Sequence, residues 1–172
     1  TGTLDGLVNA AGVGSYTSPL EVGREEWERV VAIDLTAPFF VAARLADRVR
    51  APGGSIVNIT SAESLMASGS AGWTTPAYSA AKAGMHGFTM ALAREVARKG
   101  GTVNSVSPGY CRTSLVMKIP EQIRNDIVSS IPVGRLGEPS EIARTVQFLS
   151  ADDAGFITGA NIPVNGGYFM DF

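Results

Sequence analysis

The hydrophobic residues of the chain occur in two kinds of segment, short ones that hold two or three aliphatic residues and longer ones with helical spacing. Short segments in which valine, isoleucine or leucine mix with small polar residues, with glycine or proline nearby, predict strands over residues 4–9, 55–59, 102–107 and 161–164. Segments this short are typical of strands rather than helices.

Helical spacing marks three further segments, 25–50, 76–99 and 139–149. The second has the clearest limits, because Thr75 can cap its N-terminus and Pro76 fits its first position. Its predicted buried stripe consists of Ala81, Met85, Phe88, Leu92 and Val96. The corresponding stripe of the first helix consists of Trp27, Val30, Val31, Leu35 and Phe39.

Strands and helices alternate along the chain, which predicts an α/β fold with a doubly wound parallel sheet in one domain over residues 1–172. The glycine-rich strand-to-helix turn of dinucleotide-binding folds does not occur in the sequence. A sheet that started with residues 4–9 would also leave an apolar edge uncovered. We therefore expect that the first strands of this domain are missing from the sequence.

Composition narrows the classes of function. Of the 172 residues, 45% are apolar and 17% are charged, and the net charge is −2. The apolar share favours an oligomer, and the lack of a basic cluster argues against a nucleic-acid partner. No apolar run approaches the ~20 residues of a membrane span. One cysteine and one histidine cannot form a structural metal site, so we expect a cytoplasmic protein without metal or membrane.

Tyr78 and Lys82 lie one turn apart on the second predicted helix, and Ser61 follows the strand 55–59. A phenol titrates near pH ~10 and is a poor base at neutral pH. A cation at about 4 Å, with an effective dielectric constant of about 20, favours the phenolate by roughly 4 kcal/mol, or about three pKa units. Tyr78 is therefore a candidate general acid or base, with Ser61 as the donor to a substrate carbonyl.

Five ordered motifs make the chain resemble the C-terminal two-thirds of a short-chain dehydrogenase/reductase. They are LVNAAG at residues 7–12, GSIVNITS at 54–61, YSAAK at 78–82, VN and SPG between 103 and 109, and TGAN and NGG between 158 and 167. Segments 84–89, 107–110 and 131–137 are most similar to acetoacetyl-CoA and 3-oxoacyl-carrier-protein reductases. The resemblance implies a Rossmann-type domain.

In this family a hydride moves between a nicotinamide ring and a carbonyl or secondary alcohol. The resemblance implies that Tyr78 is the acid/base, that Lys82 lowers its pKa and contacts the nicotinamide ribose, and that Ser61 binds the substrate oxygen. The implied cofactor-binding residues besides Tyr78 and Lys82 are Asn9, Ala10, Ala11 and Gly12 on the adenosine side, Pro108 and Gly109 beside the nicotinamide, and Thr113 at its carboxamide. Tyr110 is an implied substrate contact.

The cofactor implied is NADP or NAD, with NADP favoured, and the assembly implied is a homotetramer in which the helix faces 30–40 and 88–96 pair. The expected substrate is a 3-oxoacyl thioester. Two alternatives stay open, an alcohol, polyol or cyclic-diol dehydrogenase and a catalytically idle subunit of this length.

Asp34 stands where the family usually has a fourth catalytic residue, an asparagine. The family uses the main-chain carbonyl there to hold a water that leads to the lysine. Pro38 has no N–H for the carbonyl of residue 34, so that carbonyl is expected to be free whatever the side chain. Asp34→Asn should then keep most activity, and a loss of about a hundredfold, the scale of a lost acid–base contribution, would contradict this backbone role.

The remaining expectations concern residues 68–75, three single side chains and residues 111–132. The segment 68–75 is longer than in the acetoacetyl-CoA reductases, and Trp73 in it is a candidate substrate contact. Arg112 is either an anion-binding side chain or a solvated one, and His86 and Cys111 are expected to be packing residues rather than reactive groups. Residues 111–132 follow the nicotinamide turn and are expected to form a substrate lid, although Met117, Ile119 and Ile127 there could simply pack.

Overall fold

Four parallel strands form the centre of the protein in a computed structural model that describes residues 2–14, 17–66 and 76–170. They are β1 (Gly6–Asn9), β2 (Ser55–Ile59), β3 (Thr102–Pro108) and β4 (Asn161–Val164), and they lie side by side in the order β1-β2-β3-β4. Each neighbouring pair is parallel. The predicted α/β fold class is therefore confirmed, and no predicted strand boundary is wrong by more than two residues.

Helices connect the strands and cover the sheet. They are α1 (Arg24–Val31), α2 (Ala37–Leu45), α3 (Glu63–Met66), α4 (Pro76–Ala97), α5 (Glu121–Ser130) and α6 (Pro139–Leu149). Helices α4 and α6 agree with the predicted segments, while the cap expected at Thr75 lies outside the described residues. Across the described ranges, every helix is too short or too polar to traverse a lipid bilayer.

The hydrophobic core lies on both faces of the two central strands, β2 and β3. On one face the buried side chains are Ala42, Val49, Ile56, Ala93, Val96 and Val103. On the other face Val57 and Val106 pack against Leu149 of α6. Because successive strand residues point to opposite faces, each central strand contributes side chains to both clusters. A shift of one residue would exchange the two faces, so this packing fixes the register of the strands, including their carboxyl ends.

The continuous helix predicted over residues 25–50 is wrong, because a π-helical turn, Ala32–Thr36, separates α1 from α2. Pro38 gives the physical reason, since a proline has no N–H for a bond to the carbonyl four residues earlier. The turn widens, and the Ala37 N–H bonds instead to the carbonyl of Ala32. Of the predicted stripe, Trp27 is 39% exposed, whereas Val30 is fully buried.

Residues 111–132 contain a helix, α5, where the sequence analysis assigned none. The signal was present, because isoleucines recur every fourth residue, at Ile119, Ile123, Ile127 and Ile131. Three of these side chains are buried, and they form a small core with Leu136. The segment therefore has its own packed interior.

Candidate active site

A cleft of about 540 Å³ opens at the carboxyl ends of β1, β2 and β3. This edge is where parallel α/β sheets place their ligands. Ser61 reaches the cleft from the loop after β2, and Tyr78 and Lys82 reach it from the first two turns of α4. The structure therefore brings together the three side chains for which the sequence predicts acid–base chemistry.

Lys82 is held in a fixed position beneath Tyr78. Its ammonium donates a hydrogen bond to the carbonyl of Ile59 at 3.1 Å, and it lies 5.7 Å from the centre of the Tyr78 ring. The Lys82 side chain is almost completely buried, and this burial lowers the pKa of its ammonium, while nearby Asp34 acts in the opposite direction. A cation fixed at this position stabilises a phenolate in the same cleft.

Ser61 is oriented by the backbone of α3. Its Oγ accepts a hydrogen bond from the N–H of Glu63 at 3.2 Å. A hydroxyl has one hydrogen and two lone pairs, so Ser61 can still donate to an oxygen in the cleft. This leaves the serine as a donor, which is the role that a carbonyl substrate requires.

The predicted cofactor residues divide into two groups. The cleft lining includes Ala10, Gly12, Pro108, Gly109 and Thr113. Asn9 and Ala11, by contrast, are described residues that the lining does not include. The Asn9 side chain turns inward and donates to Asn58 Oδ1 at 2.8 Å. Asn58 in turn donates to Thr89 Oγ1, so this chain of hydrogen bonds joins β1 and β2 to α4 behind the cleft.

Helix α6 contributes an unpredicted wall of the cleft through Ile142, Ala143 and Val146. These residues occupy one face of an amphipathic helix, a pattern that the sequence shows but that indicates only burial. Leu115 and Val116, at the start of the predicted lid, also border the cleft. Within the described ranges, His, Cys, Asp and Glu side chains form no group of three that could ligate a metal.

Tyr110, an expected substrate contact, is engaged elsewhere. Its hydroxyl donates to the buried carboxylate of Glu63 at 3.1 Å, and its ring packs edge-to-face on Tyr168. Burial and the neighbouring Glu63 raise the pKa of the Tyr110 phenol, so it stays protonated. The sequence analysis missed Glu63, because nothing in the pattern marks a glutamate that lies two residues after the candidate serine.

The remaining candidate residues from the sequence are Arg112, Cys111, Trp73 and Asp34. Arg112 is exposed and pairs with Glu138 at 3.0 Å. Cys111 is buried, and this burial raises the pKa of its thiol, which favours packing over reactivity. Trp73 and the rest of the segment 68–75 lie outside the described residues. Asp34 is fully buried, and its carboxylate approaches Lys82.

His86 links α4 to α3 and to strand β3 through two hydrogen bonds. Its Nε2 lies 2.8 Å from Ser64 Oγ, and its Nδ1 lies 3.2 Å from Ser105 Oγ. Ser64 also donates to the carbonyl of Ser61, so its oxygen can accept the Nε2–H. The ring thus supports the loop that carries Ser61 and does not enter the cleft, as the packing interpretation anticipated.

Burial lowers the pKa of His86 below its ordinary 6.5, which gives the protein a pH-dependent stability. Below about pH 6.5 the unfolded chain binds a proton at this position that the folded chain does not, so the free energy of unfolding decreases as the pH is lowered. We expect the free energy of unfolding to fall more steeply between about pH 7 and pH 5 in the wild type than in His86→Gln. Urea unfolding at several pH values measures both slopes, and parallel slopes would contradict the assignment.

Comparisons with known proteins identify relatives over nearly the whole chain. A family model described as enoyl-(acyl carrier protein) reductase matches residues 1–169. An acetoacetyl-CoA reductase of Allochromatium vinosum is 45% identical over 98% of this chain and 68% of its own length. A 3-oxoacyl-[acyl-carrier-protein] reductase of Pseudomonas aeruginosa is 42% identical over 95% of this chain and 65% of its own.

A solved structure shows the same fold. A Brucella melitensis protein described as a short-chain dehydrogenase/reductase, glucose/ribitol dehydrogenase, superposes with a TM-score of 0.89 at 32% identity, over 98% of this chain and 66% of its own. The chain thus spans about two thirds of the length of these relatives. Similarity over nearly the whole chain, in both sequence and structure, confirms the predicted family. The chain belongs to the short-chain dehydrogenase/reductase family of NAD(P)-dependent oxidoreductases.

Proposed function

We propose that the protein reduces the 3-oxo group of an acyl thioester such as acetoacetyl-CoA. The observation that carries this proposal is the convergence of Ser61, Tyr78 and Lys82 on one cleft, with the Lys82 ammonium 5.7 Å from the centre of the Tyr78 ring. The names of the relatives that are 42% and 45% identical support a 3-oxoacyl thioester as the substrate.

The cleft fits a nicotinamide cofactor, which when bound supplies or accepts the hydride. Its walls at the ends of β1 and β3 include Ala10, Gly12, Pro108 and Gly109, and the alanine and the two glycines leave room for a flat ring. Thr113 adds a hydroxyl to the same wall. These residues are the proposed cofactor contacts, together with Tyr78 and Lys82.

The proton steps belong to the side chains of the chain itself. Ser61 donates a hydrogen bond to the substrate carbonyl and holds it beside the phenol. In reduction Tyr78 gives its phenolic proton to the carbonyl oxygen, which becomes the hydroxyl of a secondary alcohol, and Tyr78 is left as a phenolate. The Lys82 ammonium stabilises this phenolate until a proton from solvent restores the acid. In oxidation the same groups act in reverse.

An alcohol, polyol or cyclic-diol dehydrogenase is the second candidate. The solved relative described as a glucose/ribitol dehydrogenase favours it, since that structure superposes over nearly the whole chain. The long segment 68–75 also favours a compact substrate if Trp73 borders the pocket. The two candidates use the same acid–base machinery and differ in substrate and direction.

We favour NADP over NAD, as the resemblance to 3-oxoacyl reductases implies, and a cytoplasmic homotetramer. Exposed apolar side chains on α2 and α4 support assembly, and they are Phe39, Phe40, Val41 and Met90. Val30 and Val96, at the ends of the predicted pairing faces, are buried within the chain and do not belong to that exposed set. The proposed lid, 111–132, is supported by Leu115 and Val116 at the cleft.

The test is cofactor oxidation by the full-length protein with acetoacetyl-CoA, using NADPH and NADH in parallel. We expect loss of cofactor absorbance that depends on the thioester and is faster with NADPH. Cofactor binding without thioester turnover would favour the second candidate, to be tested with polyols and cyclic diols plus oxidised cofactor. A protein that binds neither cofactor would contradict the oxidoreductase assignment and favour an idle subunit.

A further inference from the structure

The side chain of Asp34 makes contacts that its suggested backbone role does not require. It lies in the π-helical turn between α1 and α2 and is completely buried. Its Oδ1 lies 3.9 Å from the ammonium nitrogen of Lys82 and accepts the backbone N–H of Val13 at 2.9 Å. One carboxylate oxygen therefore connects the lysine to the loop that borders the cleft.

The surroundings of this contact are unusually tight. A Cβ on Gly12 would lie 2.7 Å from Asp34 Oδ1 and 3.3 Å from Lys82 Nζ, so only glycine allows the loop to pass this close to both groups. The second carboxylate oxygen, Oδ2, is buried and has no hydrogen-bond partner among the residues that the structure describes. A buried carboxylate with an open oxygen is costly unless a nearby positive charge compensates it.

Asp34 and Lys82 each counteract the effect of burial on the pKa of the other. Burial raises the pKa of Asp34, and Lys82, the Val13 N–H and Arg29 lower it. Burial lowers the pKa of Lys82, and Asp34 raises it. The other contacts of the ammonium within the described ranges are with the Tyr78 ring, the Ile59 carbonyl and the Met85 sulfur, and of these only the Tyr78 phenol can ionise.

We propose that the Asp34 carboxylate is the fixed counter-ion of Lys82 and a positioning residue for the reaction. It contacts the lysine and the loop 12–13 rather than the reacting atoms, and it acts through Lys82 on Tyr78. This inference rests on the proposed function, because it assumes that Tyr78 and Lys82 carry the acid–base step.

The charge of Asp34 has a consequence with a definite sign. Removing a negative charge favours loss of a proton from every nearby group, so both Lys82 and Tyr78 then titrate at lower pH, however the protons are shared between them. Asp34→Asn keeps the shape of the side chain and an oxygen for the Val13 N–H while it removes the charge. A merely structural Asp34 would leave the titration of this pair where it is.

The experiment compares the wild type with Asp34→Asn by two measurements. One is the pH dependence of kcat/KM in both directions, and the other is the tyrosinate absorption of each protein minus that of its Tyr78→Phe counterpart. We expect both profiles to move to lower pH by about one unit or more, the scale for an opposite charge at this distance. Asp47→Asn removes the same charge from an exposed pair with Lys99 and is expected to move neither profile.

Profiles of Asp34→Asn that coincide with those of the wild type would overturn the inference. If Asp34→Asn does not fold, carboxyl-carbon NMR of Asp34 in the wild type gives the answer, since a protonated carboxyl at neutral pH would also overturn it and an ionised one supports it. Failure of the proposed function has a different signature, namely a wild type without turnover or a Tyr78→Phe variant that retains it.

Discussion

Replacing Tyr78 with phenylalanine is expected to lower kcat by about 10²- to 10⁴-fold, the usual contribution of a positioned acid–base group. The ring stays in place above Lys82, so the substitution removes only the phenolic hydroxyl. Ser61 and Lys82 still line the cleft, and cofactor binding is expected to persist. The loss should therefore appear in kcat much more than in KM.

Turnover of acetoacetyl-CoA by the full-length protein measures the effect, with cofactor fluorescence as the test of binding. Tyr168→Phe is the matched control, because it deletes the same hydroxyl from a tyrosine that does not line the cleft. It is expected to keep turnover close to that of the wild type. A Tyr78→Phe variant with most of the wild-type kcat would assign the proton step to another group.

The sequence predicted the fold best where one strong pattern stood alone. Strand β2 and helix α6 were predicted to within a residue, because a short aliphatic-rich segment follows Gly54 in one case and a helical repeat begins at Pro139 in the other. The prediction failed where two signals competed. In the first long helix, helical spacing continued through Pro38, and the missing N–H produced a π-helical turn instead of an end.

The candidate site was predicted through motifs whose residues are far apart in sequence but meet at one sheet edge. Ser61, Tyr78 and Lys82 could be placed together, because strand ends and an adjacent helix determine their positions. The environment of each side chain could not be predicted in this way. The Asp34–Lys82 contact depends on a widened helical turn, and the Glu63–Tyr110 contact depends on how α3 packs.

Asp34 shows why this difference matters for chemistry. The sequence indicated a backbone carbonyl whose role is independent of the side chain, whereas the structure places the carboxylate 3.9 Å from the lysine ammonium. Burial, rather than spacing along the chain, makes that distance important, because charges interact weakly in water and strongly in the interior. Composition and periodicity contain no information about this burial at a single position.

Replacing Lys82 with methionine is expected to destabilise the protein by about 3 to 5 kcal/mol at neutral pH, as removal of one partner of a buried ion pair does. Methionine has a similar length and fits beside Met85, so the loss comes mainly from Asp34, which is left buried and uncompensated. Without the ammonium, the pKa of Asp34 lies further above its ordinary 3.8 in the folded state. The folded protein then binds a proton more readily than the unfolded chain, so the loss of stability should shrink as the pH falls.

The double variant Asp34→Asn/Lys82→Met separates stability from catalysis. With both charges removed, it is expected to be more stable than Lys82→Met alone, while its turnover remains as low, because Tyr78 still lacks its cation. Urea unfolding at neutral and acidic pH measures the first result, and acetoacetyl-CoA turnover measures the second. If Lys82→Met is as stable as the wild type, or if the double variant is no more stable than Lys82→Met, Asp34 is not an anion. Lys82 would then stabilise the Tyr78 phenolate without the counter-ion that the structure places behind it.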